Sequence, residues 1–189
     1  MPKTCQQKII WFTGLPAAGK TTLCNAVASR LRKCGLPATV LDADVLRKTI
    51  CKDLGFTNQD RITNVTRIAS LADTLAKSEI YVLVAAITPL QSMRDTLRRT
   101  LPNYVEVFVA APLKICSQRD PKGLYELAKR GMITDFTGID SPYEIPSTPD
   151  VVCSTDVETV GESTEKIIEF LRISTYQSER DGDSTVCDN

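Results

Sequence analysis

The chain predicts a three-layer α/β fold: a five-stranded parallel sheet flanked by helices on both faces. Three observations carry that expectation. Short apolar runs of strand length alternate with segments of helical periodicity, the pattern that builds a parallel sheet. The runs are continuously apolar rather than alternating, as in strands buried on both faces. A glycine-containing stretch, Gly14-Leu15-Pro16-Ala17-Ala18-Gly19-Lys20-Thr21, follows the first run and opens the first helical pattern.

Residues 8–13, with Ile9-Ile10-Trp11-Phe12 at their centre, read as the first strand. From Thr21 to Lys33, Leu23, Val27 and Leu31 recur every four residues and form one helix face, with Gly35 just beyond as the stop. Pro37 to Leu41 is a second strand ending on Asp42-Ala43-Asp44. Residues 45–54 predict a helix, and Gly55-Phe56-Thr57 a loop. A longer helix follows over 60–78, with Ile68, Leu71, Ala72 and Leu75 on its inner face. Residues 81–87 form a third buried strand closed by Thr88-Pro89. A helix over 92–100, a fourth strand over 105–109 and a helix over 113–119 come next.

Residues 120–149 hold four of the ten prolines and three of the nine glycines around one short helix, 123–130. A connection this long inside a compact domain predicts a functional lid. Residues 151–153 are the fifth strand and 159–172 a closing helix, while the polar stretch 174–189 predicts a disordered tail. One domain over residues 1–173 is expected. In such a sheet ligands sit at the carboxyl ends of the strands, where the glycine-containing loop, Asp42, Asp44 and Thr88 all fall.

Composition narrows the function. At 189 residues with 42% hydrophobic and 24% charged side chains, the chain suits one globular domain. Its 23 basic and 23 acidic residues cancel and no basic run is present, so no nucleic-acid partner is expected. The seven cysteines are odd in number, scattered and never spaced C-x-x-C, which argues against a disulfide framework and a structural zinc. Histidine is absent, which excludes Ser–His–Asp hydrolases, Cys–His proteases and H-E-x-x-H metalloproteases together. The first eight residues lack the apolar core of a leader and no apolar run approaches membrane-spanning length. The expectation is a cytoplasmic, reduced protein with no membrane partner.

Gly14–Thr21 fits the phosphate-binding pattern G-x-x-x-x-G-K-[ST]. Its backbone N–H groups can cradle phosphates, Lys20 can reach them as a point charge, and the Thr21 hydroxyl suits Mg²⁺. A nucleoside triphosphate, ATP, with Mg²⁺ is the expected cofactor pair. Asp44 at the end of an apolar strand can orient a hydroxyl nucleophile or hold a metal-bound water, and Arg47 three residues on can bind an anion. Arg61 and Asn64 form a similar pair at a helix start, with Phe56 just before them for stacking. Taken alone, that second pair could as easily be a solvated helix face.

Six stretches in order, LDAD-x-x-R (41–47), DLGF (53–56), DR-x-x-N (60–64), EVFV (106–109), RDPKGLY (119–125) and FTGIDSPYE (136–144), resemble the adenylylsulfate kinase (APS kinase) family, over about residues 8–171. The resemblance implies a three-layer P-loop kinase fold and transfer of the ATP γ-phosphate to the 3′-hydroxyl of adenylyl sulfate (APS), giving 3′-phosphoadenylyl sulfate (PAPS) in sulfate assimilation. It assigns Gly14, Leu15, Pro16, Ala17, Ala18, Gly19, Lys20, Thr21 and Thr22 to ATP, with Arg119, Cys153 and Thr155 flanking its base. Thr21 and Asp42 would serve Mg²⁺. Asp44 would position or deprotonate the 3′-hydroxyl, with Lys20 and Thr88 beside it in the catalytic set. Arg47, Arg61, Asn64 and Lys122 would hold the phosphosulfate and ribose. Ile87 and Asp135 would border that pocket, and Phe56 and Phe136 would sandwich the adenine. A homodimer is implied as well.

The sequence departs from the family at Ala43 and Val45, where Gly and Asn are usual, and at Thr134-Asp135, where Lys-Gly is usual. A kinase of the same fold acting on another nucleotidyl conjugate, such as cytidine diphosphoramidate, is the alternative these changes motivate.

Overall fold

Five parallel strands in the order β2-β3-β1-β4-β5 form the sheet of the computed structural model, which describes residues 8–173. In chain order the elements are β1 (Ile9–Thr13), α1 (Lys20–Lys33), β2 (Ala38–Asp42), α2 (Ala43–Leu46), α3 (Asn58–Ala76), β3 (Tyr81–Ala85), α4 (Gln91–Thr100), β4 (Tyr104–Ala110), α5 (Leu113–Arg119), α6 (Leu124–Lys129), β5 (Val151–Ser154) and α7 (Val160–Phe170). The expected tail, 174–189, lies outside the described residues.

The sequence pattern explains the layers. Every residue of β1 is buried, because it is the central strand, paired with β3 on one side (Ile10 to Leu83) and β4 on the other (Ile10 to Val105). Strand alternation then sends Ile10 and Phe12 to one face, against Leu23, Val27 and Leu31 of α1 and Ile167 of α7. It sends Ile9 and Trp11 to the other, against Ile68 and Ala72 of α3 and Leu97 of α4. Two apolar cores, one on each face, therefore close the three layers. Helix α7 starts on a capping box in which the Thr159 hydroxyl accepts from Glu162 N and Glu162 reaches back to Thr159 N.

The helix expected over 45–54 is a correction. Only Ala43–Leu46 is helical, and the chain then turns through three-residue hydrogen bonds such as Thr49 N to Leu46 O and Leu54 N to Cys51 O. Residues 47–54 have no apolar stripe to bury, Cys51 being the only one of them that is buried. Arg67 of α3 holds the turns instead, by two bonds to the Asp53 carboxylate (2.6 and 2.8 Å) and one to the Ile50 carbonyl.

Helix α3 tests this account of the core. Ile68→Ala should cost about 2–5 kcal/mol, because the residue is wholly enclosed. Ile62→Ala, on the solvent side of the same helix, should stay within about 0.5 kcal/mol. Urea denaturation of both variants measures the difference, and equal losses would contradict the assigned face.

Candidate active site

The carboxyl edge of the sheet opens into a cleft of about 970 Å³. Its floor is the loop after β1. Gly14 passes so near β4 that a β-carbon there would lie 2.5 Å from the Val109 carbonyl oxygen. Gly19 caps α1 with φ at 104°, a conformation that other residues adopt only under strain. Pro16, Ala17, Gly19, Lys20, Thr21 and Thr22 line the cleft, whereas Ala18 is buried beneath it and the Leu15 side chain faces a separate groove.

Lys20 Nζ donates to the carbonyls of Gly14 (2.9 Å) and Leu15 (2.7 Å). Burial pushes its pKa down to about 8, against an opposing pull from Asp44. The Thr21 hydroxyl donates to Asp42 Oδ2 at 2.6 Å, and Asp42 Oδ1 accepts from Asp44 N at 2.8 Å as the cap of α2. A single carboxylate thus joins the start of α1 to the end of β2 and sets Asp44 at the cleft wall. Asp44 itself is exposed and paired with Lys122 Nζ at 2.5 Å.

The opposite wall is rich in cations. Arg61 is buried, and its guanidinium donates to the Phe56 carbonyl (2.8 Å), the Thr137 hydroxyl (2.7 Å) and the Asp135 carbonyl, so it joins α3 to segment 120–149. Burial, and next the charge of Arg47, hold Arg61 below its ordinary range. Arg47 stacks on the exposed ring of Phe56, 4.4 Å from guanidinium carbon to ring centroid, and donates to the Gly55 carbonyl at 2.8 Å. Phe136 lines the cleft and meets Tyr125 edge-on at 4.9 Å. The Tyr125 hydroxyl in turn donates to the Pro16 carbonyl at 3.0 Å, tying segment 120–149 to the phosphate loop.

Phe56, Arg61, Ile87, Arg119, Lys122, Asp135, Phe136 and Thr155 line the same cleft as Lys20, Thr21, Asp42 and Asp44. Arg119 donates to the Thr155 hydroxyl (3.2 Å) and carbonyl (2.5 Å), and that hydroxyl donates to the Ala18 carbonyl at 2.7 Å.

Besides Gly14, Leu15 and Ala18, four expected residues, Arg47, Asn64, Thr88 and Cys153, are not among those that line the cleft. Cys153 is wholly buried, since alternation along β5 turns its thiol inward to the Ser163 carbonyl rather than to the cleft. Thr88 is buried, with its hydroxyl accepting from Trp11 Nε1 at 2.8 Å, so it is a structural link and not a free catalytic hydroxyl. Asn64 is buried beside the wall, and its Oδ1 has no hydrogen-bond partner.

Sequence reasoning also missed lining residues. Glu158, Thr159, Val160 and Ser163 border the cleft beyond Thr155. The T-x-x-E pattern of Thr159 and Glu162 marked that helix start and could have drawn attention to them.

A model of the adenylylsulphate kinase family matches residues 6–154. The chain belongs to the adenylylsulphate kinase family. It is 50% identical over 162 residues to the adenylyl-sulfate kinase of Rippkaea orientalis, covering 86% of this chain and 90% of that one. A Synechococcus adenylyl-sulfate kinase is 47% identical over 167 residues, covering 88% and 95%. The structure of the Mycobacterium tuberculosis APS kinase CysC in complex with AMPPNP and APS superposes with a TM-score of 0.85 at 41% identity, covering 88% of this chain and 98% of that one.

Lys20 supplies a pH prediction. Above pH about 8 the free protein releases the Lys20 proton, whereas bound phosphates favour the charged form. ATP binding at pH 8.5 should therefore take up protons, and affinity should fall as pH rises further. Calorimetry in two buffers of different ionisation enthalpy measures the uptake. No uptake at pH 8.5 would contradict a depressed Lys20.

Proposed function

We propose that the protein is an adenylylsulfate kinase, transferring the γ-phosphoryl group of ATP to the 3′-hydroxyl of adenylyl sulfate to give 3′-phosphoadenylyl sulfate and ADP. The observation that carries this is one shared cleft. A phosphate loop lies on one side, a wall of Arg61, Lys122, Phe56 and Phe136 on the other, and Asp44 stands among them.

Phosphoryl transfer asks mainly for positioning and charge neutralisation. Backbone groups of 14–22 and Lys20 hold the triphosphate, with Arg119 and Thr155 at its base end. Phe56 and Phe136 offer ring faces to the acceptor adenine. Arg47, Arg61, Asn64 and Lys122 supply donors to the phosphosulfate and ribose, and the unpaired Asn64 Oδ1 suits a hydroxyl or amine donor. Asp44 accepts the proton of the 3′-hydroxyl, and the Lys122 ion pair holds its carboxylate ready. That pair is exposed on both sides and so opens at little cost.

Thr21 and Asp42 fit Mg²⁺. Both present oxygen, and the two atoms are 2.6 Å apart. Mg²⁺ is commonly held by one or two such protein oxygens, with phosphates and water as its other ligands. When bound, Mg²⁺ neutralises charge on the transferring phosphates.

Segment 120–149 acts as the lid in this reading, because it carries Lys122, Asp135 and Phe136 over the cleft. A cytoplasmic setting accords with the free thiols of Cys24, Cys34, Cys51, Cys116 and Cys153. No helix among the described residues is long and apolar enough to cross a membrane. The homodimer rests on the resemblance alone, and light scattering tests it.

Purified protein with ATP, Mg²⁺ and adenylyl sulfate should release ADP and form the 3′-phosphorylated product. A cytosine-bearing conjugate should be the poorer acceptor, and a preference for it would overturn the choice of substrate. Asp44→Asn should lower kcat by about a hundredfold or more while leaving ATP affinity intact. ADP release and nucleotide titration measure both, and an unchanged kcat would remove Asp44 from the chemistry.

A further inference from the structure

Arg94 of α4 is wholly buried, yet none of the roles above uses it. Its guanidinium is engaged on several sides. Nη1 donates to the Thr88 carbonyl at 2.7 Å, and Nη2 donates to the Glu144 carbonyl at 2.7 Å and to Gln91 Oε1 at 2.8 Å. Nε lies 3.4 Å from Glu106 Oε1, a carboxylate also buried and approached by Arg98 at 3.3 Å. The Tyr143 ring lies 5.8 Å from the guanidinium carbon.

The Thr88 carbonyl follows Ile87, which lines the cleft, whereas Glu144 lies between Tyr143 and Ile145, which line the neighbouring groove beside Leu15. Thr88 sits at φ 47°, a left-handed conformation that strains a threonine and persists only where its surroundings over-determine it. Trp11 grips its side chain, the Thr13 hydroxyl donates to the preceding Ile87 carbonyl at 2.6 Å, and Arg94 grips its own carbonyl. Ile87, immediately before it, lines the cleft. Glu144 lies late in segment 120–149, with its N–H on the Pro89 carbonyl (2.8 Å) and its carboxylate accepting from Gln91 N (2.5 Å). Its neighbour Tyr143 shares a hydrogen bond of 3.0 Å with Thr13, one residue before the phosphate loop. One planar cation therefore joins the turn after β3 to the end of the lid segment.

Stability alone is a weak reason for such a group. Desolvating a buried ion pair commonly offsets its attraction, and well-packed apolar residues often do as well. Fixed geometry is a better one, since a guanidinium holds several acceptors in one plane where an ammonium cannot.

We propose that Arg94 is a positioning residue for the acceptor half of the site. Through the Thr88 and Glu144 carbonyls it keeps the Ile87–Pro89 turn and the end of the lid segment in one mutual arrangement, and so sets the wall against which the acceptor rests. The proposal rests on adenylyl sulfate being that acceptor.

Steady-state kinetics of Arg94→Lys, with each substrate varied in turn, test it beside the wild type. The KM for adenylyl sulfate should rise about tenfold or more while the KM for ATP changes less than about twofold. Equal rises for both substrates would reduce Arg94 to a structural role, and an unchanged acceptor KM would refute the proposal. Should Arg94→Lys not fold, Gln91→Ala decides. It removes one guanidinium partner from the solvent side and should raise only the acceptor KM, by about threefold. Absence of any turnover in the wild type would refute the assigned reaction and this proposal with it, whereas wild-type turnover with an unshifted variant refutes the role of Arg94 alone.

Discussion

At the carboxyl end of β1 the backbone has no room for a side chain, because Gly14 runs directly beneath the Val109 carbonyl of β4. One residue earlier, the Thr13 hydroxyl bonds both the Ile87 carbonyl after β3 and the Tyr143 hydroxyl of segment 120–149. The phosphate loop, the turn after β3 and segment 120–149 therefore share one anchoring point on the central strand. A parallel sheet makes this economical, since all its strands release their chains at the same edge. Moving β1 against β4 would disturb every part of the cleft together.

Charge is distributed around that point in a consistent way. Lys20, Arg47, Arg61 and Arg119 each spend hydrogen bonds on backbone carbonyls, and Lys122 on the Asp44 carboxylate. Carbonyls satisfy these donors without neutralising them, so the cations keep their charge for polyanionic nucleotides although Asp42, Asp44, Asp120, Asp135 and Glu158 line the same cleft. The depressed pKa of Lys20 comes from burial, which the pull of Asp44 only partly offsets. The departures from the usual family pattern do not interrupt this arrangement. Val45 is exposed on α2, and Asp135 meets Arg61 through its backbone carbonyl.

Much of the fold was legible in the sequence because apolar periodicity reports burial directly. Continuous runs marked β1 and β3, and the i, i+4 stripe of Leu23, Val27 and Leu31 marked α1. Where no stripe existed, as in 47–54, propensity had nothing to act against and the expected helix shortened to one turn. Within the site, the motif residues at helix starts or on turns, such as Lys20, Asp44 and Lys122, do line the cleft. Thr88 and Cys153 do not, because a residue's position in a motif does not say which way its side chain turns. One bonds Trp11 behind the cleft and the other points into the core.

The sequence by itself determined the layered α/β architecture, the phosphate loop and its partners on the strand ends, because each depends on local spacing and on the period of burial. Only the tertiary structure decided that Arg61 joins α3 to segment 120–149 and that Asp42 joins Thr21 to Asp44. Only it showed Arg94 holding two carbonyls 56 residues apart in sequence, Thr88 and Glu144. Those links run between segments remote in the chain, and hydrogen-bond geometry at about 3 Å is set by how the strands and helices pack, not by neighbours in sequence.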